Sequence, residues 1–473
     1  MKILLINPPN QNEITGCLPA FVTRQRGYNP PLGLLYLAGY LQQYNDHHVK
    51  IIDSQVEEID FDQLKSKVSK YGPDVVGITA LTMTLLDVMM TVRAVKETNK
   101  DIRIVLGGPH VHLYPQETIE LDGVDYVVQG EGEKVFCELV DNLDNKEVLK
   151  SIKGFVFKDE GEIVNTGLSV LTEDIDSLPF PARNLIPYNK YTSILTKETV
   201  VTTIFTSRGC PYACSFCDRH HLGKKFRARS AKNVLDEIQE CVEMEIKGFL
   251  FYDDTFTINK QRVIEICQGI IDRGLDITWS IRSRVDTIDA EMLSCLKKAG
   301  CQVINYGVES GSDKVLKRLN KGISIDKVYE TFDLTRKSGI QALAYFMIGN
   351  PAEQKNDIYE TFKVMHQLKP DYVHIAILTP FPGTKIYSEA LDKKIIPYDC
   401  WKEFAKKPYS DFVMPHWGEN FSMGELEEIL IKGYKGFYCR GSYILRSLLK
   451  IRSLDELRKK VIAGLQLIFS KGQ

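Results

Sequence analysis

No apolar stretch of the 473-residue chain reaches membrane-spanning length, so a transmembrane helix is not expected. The opening MKILLINPP has an apolar run of only four residues before Asn7-Pro8-Pro9. That is too short for a secretory signal and reads as a buried strand, which points to the cytoplasm. Excess positive charge is also missing. The formal net charge is -2, so no field of the kind that draws nucleic acid surrounds the protein. The GxGxxG turn is missing after the first strand, where Asn7-Pro8-Pro9-Asn10 stands, which argues against a nicotinamide cofactor. The eleven cysteines are odd in number and no secretory signal precedes them, which argues against a disulfide framework. Cys17, Cys137, Cys241, Cys267, Cys295, Cys301, Cys400 and Cys439 are scattered and read as small buried apolar residues.

Apolar residues make up 44% of the chain, enough at this length for the cores of two to four domains. Over 1–145, KILLIN (2–7), HVKIIDS (48–54), DVVGITAL (74–81), RIVLGGP (103–109) and DYVVQGEGE (125–133) read as strands. GLLYLAGYLQQY (33–44), FDQLKSKVSKYG (61–72) and LLDVMMTVRAVKET (85–98) read as the helices between them. This alternation implies parallel strands with crossover helices, and the uniformly apolar strands imply a sheet covered on both faces. The expectation is an α/β, doubly wound domain whose ligand lies outside the carboxyl ends of its strands. Loops at those ends carry Thr82 and Thr84, then Gly107-Gly108-Pro109-His110, then Gly130-Glu131-Gly132-Glu133. Their paired glycines would let backbone approach a large ligand closely. Residues 146–195 lose the pattern, and the proline-punctuated LPFPARNLIPYNKY (178–191) reads as a linker.

A second βα series covers 196–400. VVTTIFTSRGC (200–210), GFLFYDDTF (248–256), ITWSIRSRV (277–285), QVINYGVESG (302–311), QALAYFMIGNP (341–351) and YVHIAILTPFPGT (372–384) read as strands with helical patterns between them. Six such repeats suit a partial or full TIM-type barrel with its chemistry at the C-terminal strand ends. Residues 401–473 read as helical. The stretch 433–469 carries Lys435, Arg440, Arg446, Lys450, Arg452, Arg458, Lys459 and Lys460 against only Asp455 and Glu456. It reads as packing helices with a solvated basic face, or alternatively as a peripheral contact with an anionic membrane surface.

CPYACSFC (210–217) ends the first strand of this second series and sets three cysteines at gaps of three and two residues. A structural zinc site takes four ligands. No fourth thiolate is near, although His220 or His221 would complete a Cys3His site. A thioredoxin-like pair would leave Cys210 without a role, and a two-cluster ferredoxin would show a second run of cysteines. An iron–sulfur cube on three thiolates keeps one iron open for substrate or cofactor. Arg208, Lys224, Lys225 and Arg227 flank the loop and would offset its negative charge.

CxxxCxxC with the aromatic Phe216 before its last cysteine closely resembles the radical S-adenosylmethionine enzymes. The resemblance implies a [4Fe–4S] cluster on Cys210, Cys214 and Cys217, with S-adenosylmethionine on the open iron. An electron from the cluster would cleave that cofactor to a 5′-deoxyadenosyl radical. The same resemblance implies that Phe216 and Tyr252-Asp253-Asp254 contact S-adenosylmethionine, although the family's usual form at the latter is Gly-Gly-Glu. Arg282 or Arg284 would pair with the methionine carboxylate, with an ordinary strand-end ion pair as the plainer role. Glu309-Ser310 in YGVESGSDKVLKRLNKG would reach the ribose hydroxyls, and MIGNPAEQ (347–354) resembles the segment near adenine. A doubly wound domain before such a barrel resembles the cobalamin-binding subclass. That implies cobalamin against Thr82, Thr84, Gly107, Gly108, His110, Gly130, Glu131 and Gly132. The DxHxxG motif that supplies a cobalt ligand in other cobalamin proteins is absent. His110 and His112 are the nearest candidates, and each also reads as an ordinary loop histidine.

The implied activity is methylation of an unactivated carbon on a bulky or apolar substrate. One S-adenosylmethionine would supply the methyl group by way of cobalt and a second the radical. FYCRGSYILRSLL (437–449) resembles the tails of cyclases and lipid-modifying enzymes. It keeps open a non-methylating cyclase or rearrangement enzyme of tetrapyrrole or hopanoid metabolism. A structural metal-binding module is the reading from another class. The expected partners are a small-molecule substrate, lipid or tetrapyrrole among them, and an external one-electron reductant such as a ferredoxin or flavodoxin.

Overall fold

The computed structural model describes residues 1–16, 27–193, 196, 198–218, 223–448, 464 and 467. Cys17, His220, His221 and the basic residues from Lys450 to Lys460 lie outside the described residues.

The first sheet contains β1 (Lys2–Asn7), β2 (His48–Asp53), β3 (Val75–Thr79), β4 (Arg103–Gly107), β5 (Tyr126–Val128), β6 (Phe155–Asp159) and β7 (Glu162–Asn165). Their order is β2-β1-β3-β4-β5-β6-β7. The first five are parallel, with the chain order reversing at β1, so the switch point of a doubly wound sheet lies between β1 and β3. Ile3, Leu5, Val75 and Ile104 are buried because helices cover both faces. Helix Phe61–Tyr71 shows the local logic: Asp60 caps its start by accepting from the Gln63 amide, and Gly72 ends it at φ +62.

The antiparallel hairpin β6–β7 falls inside 146–195, the segment read from sequence as a linker. It extends the first sheet because Phe155, Val156 and Phe157 are fully buried. Glu160 and Gly161, both at positive φ, make the tight turn between its strands.

The second sheet holds β8 (Val201–Ile204), β11 (Gly248–Phe251), β12 (Thr278–Ser283), β13 (Cys301–Glu309), β14 (Gln341–Ile348) and β15 (Tyr372–Ile377). All six are parallel and stand in chain order, and β8 and β15 do not pair with one another among the described residues. The sheet is therefore an open one, with helices packed on one face and a lumen on the other. Two further strands, β9 (Ser207–Arg208) and β10 (Arg227–Ala228), pair antiparallel and close the neck of the cysteine loop.

The tail is helical where it is described: Cys400–Lys406, Met423–Tyr438 and Gly441–Leu448. The second of these helices covers the edge of β15. Tyr434 and Tyr438 donate to the carbonyls of Ile375 and Val373 and accept from the amides of the same residues, each at 3.0 Å. An open edge is thereby satisfied by side chains in place of another strand. No helix among the described residues is long and apolar enough to cross a membrane. The two halves share core: Val111 and Tyr114 of the first pack in one cluster with Leu319, Leu378, Tyr387, Trp401 and Phe404.

Candidate functional site

The cysteine loop leaves the end of β8 and is pinned there by Asp253. This carboxylate is fully buried at the end of β11. It accepts from the Thr206 amide (2.6 Å), the Thr206 hydroxyl (2.5 Å) and the Ser207 hydroxyl (2.6 Å). Beyond the β9–β10 neck, Cys210 and Cys214 are half-buried and Cys217 is exposed. Loss of water around the Cys217 sulfur, then the charges of Asp254, Cys214 and Cys210, push its thiol up to about 12, although the residue as a whole is exposed. Burial likewise raises the Cys210 thiol, with Asp254 and Cys214 adding to it. The three sulfurs therefore feel one another. Ligating metal reverses that repulsion by stabilising the thiolates.

Arg284 is a cation in contact with this cluster of thiols. Its Nη1 lies 3.8 Å from the Cys214 sulfur, its guanidinium stacks 3.8 Å over the Tyr212 ring, and Asp286 pairs with it at 2.9 Å. Another Nη2 bond, at 2.7 Å, runs to the Lys321 carbonyl. Lys321 in turn pairs with Glu309 at 2.7 Å, and its ammonium lies 5.8 Å from the Phe216 ring. Glu309 ends β13 in the left-handed region at φ +69. Along the lumen side, Arg282 stacks 4.1 Å over Tyr252.

The first sheet meets this loop with its carboxyl strand ends. Arg227 grips Glu131 with both ends of its guanidinium, at 2.8 and 3.1 Å. Arg208 contacts Glu131 at 3.1 Å and Glu133 at 2.5 Å. The Thr172 amide adds a bond to Glu131 at 2.7 Å. All four side chains are buried. Burial alone would raise the Glu131 carboxyl, but Arg227 and Arg208 hold it below the usual carboxylate range. The fourth loop approaches too: a Cβ on Gly383, after β15, would meet Leu113 at 2.8 Å and Asp218 at 3.1 Å.

The chain matches the B12 binding domain over residues 20–140 and the Radical SAM superfamily over 204–365. An uncharacterized methyltransferase of Pyrococcus horikoshii is 34% identical over 472 residues, 99% of both chains. The chain belongs to the cobalamin-binding radical SAM family. An anaerobic magnesium-protoporphyrin IX monomethyl ester cyclase of Rubrivivax gelatinosus is 30% identical over 451 residues, 93% of this chain and 79% of that one. The solved structure of OxsB, a cobalamin-dependent S-adenosylmethionine radical enzyme, superposes with a TM-score of 0.75. It covers 99% of this chain and 72% of that one at 19% identity, which is a likeness of fold. This radical SAM enzyme's cofactors are those of its two domains: cobalamin, S-adenosylmethionine and a [4Fe–4S] cluster.

The residues present fit that set. The three cysteines stand on one loop, Cys210 and Cys214 half-buried and Cys217 exposed, as thiolates that hold three corners of a cube would. Arg284 is placed to donate to a thiolate sulfur. At the ends of β3 and β4, Leu81 is 45% exposed and Gly108 carries no side chain, a surface suited to a large, partly apolar ligand. Gly108 stands at φ +106, and a Cβ there would lie 2.9 Å from the Ala80 carbonyl.

Several expected contacts have other employment. Asp253, read as a contact of the methionine amine, ties the loop to β11 through three bonds. The Ser310 hydroxyl is buried against Thr361 at 3.1 Å. Glu131, read with Gly130 and Gly132 as a corrin contact, is occupied by two arginines. Arg208 and Arg227 accordingly balance Glu131 and Glu133 before they offset any cluster charge, and Lys225 pairs with Glu173. Thr84 is buried with its hydroxyl 3.4 Å from the Leu81 carbonyl. His110 is fully buried, bonded through Nδ1 to the Thr82 hydroxyl at 3.0 Å and packed on Tyr114. Burial pushes its pKa down to about 3, so it stays neutral and shielded. Arg284, read as a partner of the methionine carboxylate or as a strand-end ion pair, pairs with Asp286, while Arg208, Arg227 and Lys321 are site residues to which the sequence reading gave no positioning role. The carboxylates that Arg208 and Arg227 meet lie 75 and 96 residues away in the chain, and no local motif marks them.

Proposed function

We propose that this enzyme methylates an unactivated carbon of a bulky or apolar small molecule. The observation that carries the proposal is the convergence of two sets of strand ends: the loops after β4 and β5 abut the neck and rim of the cysteine loop. The cofactors, when bound, supply a methyl group on cobalt and a 5′-deoxyadenosyl radical from S-adenosylmethionine. The chain's residues bind, orient and shield. Cys210, Cys214 and Cys217 hold the cluster, with Arg284 donating to Cys214. Tyr252, Asp254, Arg282, Glu309 and Phe216 line the S-adenosylmethionine site. Asp254 would hold the methionine ammonium and Arg282 its carboxylate. Thr82, Gly107, Gly108, Gly130 and Gly132 present backbone and small side chains to the corrin. An external one-electron reductant completes the system. The boundaries we assign are a cobalamin domain over 1–145 extended by the 155–165 hairpin, a linker to 195, the radical domain over 196–400, and helices over 401–473.

The 30% identity to a cyclase favours one second reading, a radical reaction on a tetrapyrrole-like ring without methyl transfer. Anaerobic incubation with methyl-labelled S-adenosylmethionine, reductant and cell extract separates the two. Label in a small-molecule product supports methylation. 5′-Deoxyadenosine release with no label in any product refutes it and supports the second reading. If a full cluster never cleaves S-adenosylmethionine, neither holds, and a structural metal-binding module takes their place.

A further inference from the structure

The lumen face of the second sheet carries polar groups that no protein partner satisfies. On β14, Ala342, Ala344, Phe346 and Ile348 pack into the helix-side core, so Leu343, Tyr345 and Met347 take the opposite face. On β13, Ile304, Tyr306 and Val308 face the helices, which turns Asn305 to the lumen. The register sets Asn305 level with Arg282 and Leu343, and Tyr345 level with His374. The Tyr345 and His374 rings lie 5.3 Å apart. Asn305 is 5% exposed, and its Oδ1 has no hydrogen-bond partner. Neither the Tyr345 hydroxyl nor the His374 ring bonds to any described residue. Buried polar groups in folded proteins are nearly always paired, so the orphaned Asn305 Oδ1, with the partly exposed Tyr345 hydroxyl and His374 ring unpaired on the same lumen face, calls for a ligand.

We propose that Asn305, Tyr345 and His374 form a neutral hydrogen-bonding subsite for a hydroxyl or carbonyl oxygen on a largely apolar, uncharged substrate. This rests on the reading of the cysteine loop as the radical centre, because Tyr345 stands beside Tyr252 and Arg282 of that site. Burial keeps the Tyr345 phenol protonated and the His374 imidazole unprotonated, so neither carries charge at neutral pH. Leu343, Met347 and Ala376 supply the apolar surroundings. A charged head group would be desolvated here without a counter-ion. Of the nearby cations, Lys321 is engaged by Glu309, and Arg282, stacked on Tyr252, is the one assigned above to the methionine carboxylate.

The test uses the anaerobically reconstituted enzyme with S-adenosylmethionine and saturation-transfer difference NMR. Its probes are cyclohexanone, cyclohexanol, cyclohexanecarboxylate and cyclohexylammonium. The two neutral probes are expected to bind at least tenfold tighter than the two ions. Tyr345→Phe and His374→Phe should each erase that preference, while His374→Gln, which keeps hydrogen-bonding capacity, should retain it. Equal binding of ions and neutral probes overturns the proposal, as does a preference that survives both Tyr345→Phe and His374→Phe. 5′-Deoxyadenosine release is measured without probes, so its absence would refute the radical reading alone.

Discussion

Glu131→Gln tests whether the two halves are registered by buried charge. The carboxylate is met by Arg227 through both guanidinium ends and by Arg208, with side chains between 2 and 7% exposed. Glutamine keeps the volume and an acceptor for the Thr172 amide, but leaves Arg227 as an uncompensated buried cation. Breaking such a pair from one side costs about 3–5 kcal/mol, whereas removing both partners together costs much less. Arg208 keeps Glu133, so the lower end of that range applies, roughly 3 kcal/mol. The assay is urea unfolding of apo-protein, read at the first transition because a chain of several domains does not unfold in two states. Expected are a loss of roughly 3 kcal/mol in Glu131→Gln and substantial recovery in the double variant Glu131→Leu/Arg227→Met. A loss under about 1 kcal/mol, or a double variant as damaged as the sum of the singles, would refute the reasoning. Iron incorporation should fall in parallel, since Arg208 and Arg227 close the neck of the loop that carries Cys210, Cys214 and Cys217.

Each of Cys210→Ala, Cys214→Ala and Cys217→Ala should lose the iron–sulfur absorption and all 5′-deoxyadenosine release while corrinoid binding, followed by its visible spectrum, persists. Tyr434→Phe and Tyr438→Phe each strip an amide and a carbonyl of β15 of their partner and should cost about 1–3 kcal/mol apiece by urea unfolding. Gly108→Ala forces a Cβ to 2.9 Å from the Ala80 carbonyl at φ +106; it should cost at least about 1 kcal/mol and weaken the corrinoid spectrum. Burial raises Glu353 from 4.5 to about 7, so the stability it contributes is fully present below pH 4.5 and lost as pH rises through about 7. Glu353→Gln should flatten that pH dependence by an amount on the order of 3 kcal/mol, read as the difference between the two unfolding curves.

What was legible in the sequence follows from periodicity and from local motifs. Uniformly apolar strands such as KILLIN and DVVGITAL declare a covered parallel sheet, and CxxxCxxC declares its own loop. The hairpin at 155–165 was not legible as a strand pair. Its first strand has three buried residues, and Glu160-Gly161 is a weaker turn signal than Asn-Gly. Asp253 and Ser310 illustrate a different case. They sit where motif matching expects cofactor contacts, but the backbone turns each toward a nearby polar group, Thr206 and Thr361, that satisfies it first. Glu131 was read with the glycines around it as part of a ligand loop. Only the fold brings Arg227 to it, from 96 residues away.

These displaced roles have a common physical logic. A site that makes a radical must hold its cofactors at fixed separation while excluding water. Loop glycines alone cannot fix a separation, because they add freedom. Here the rigidity comes from charges and hydroxyls one step behind the ligand surface: Asp253 on Thr206 and Ser207, Arg284 on Tyr212 and Asp286, Glu131 and Glu133 on Arg208 and Arg227. Asp253, Arg284, Glu131, Glu133, Arg208 and Arg227 are all buried, which strengthens their bonds. Such residues are invisible to a motif because their spacing in sequence is set by topology. They are also the ones whose loss should separate cofactor binding from productive geometry. A variant such as Arg284→Lys would keep a cation near Cys214 but lose the stack on Tyr212 and the paired donors to Asp286. It is expected to retain the cluster's absorption and to slow S-adenosylmethionine cleavage at least tenfold, and cleavage at the wild-type rate would show that the charge alone suffices.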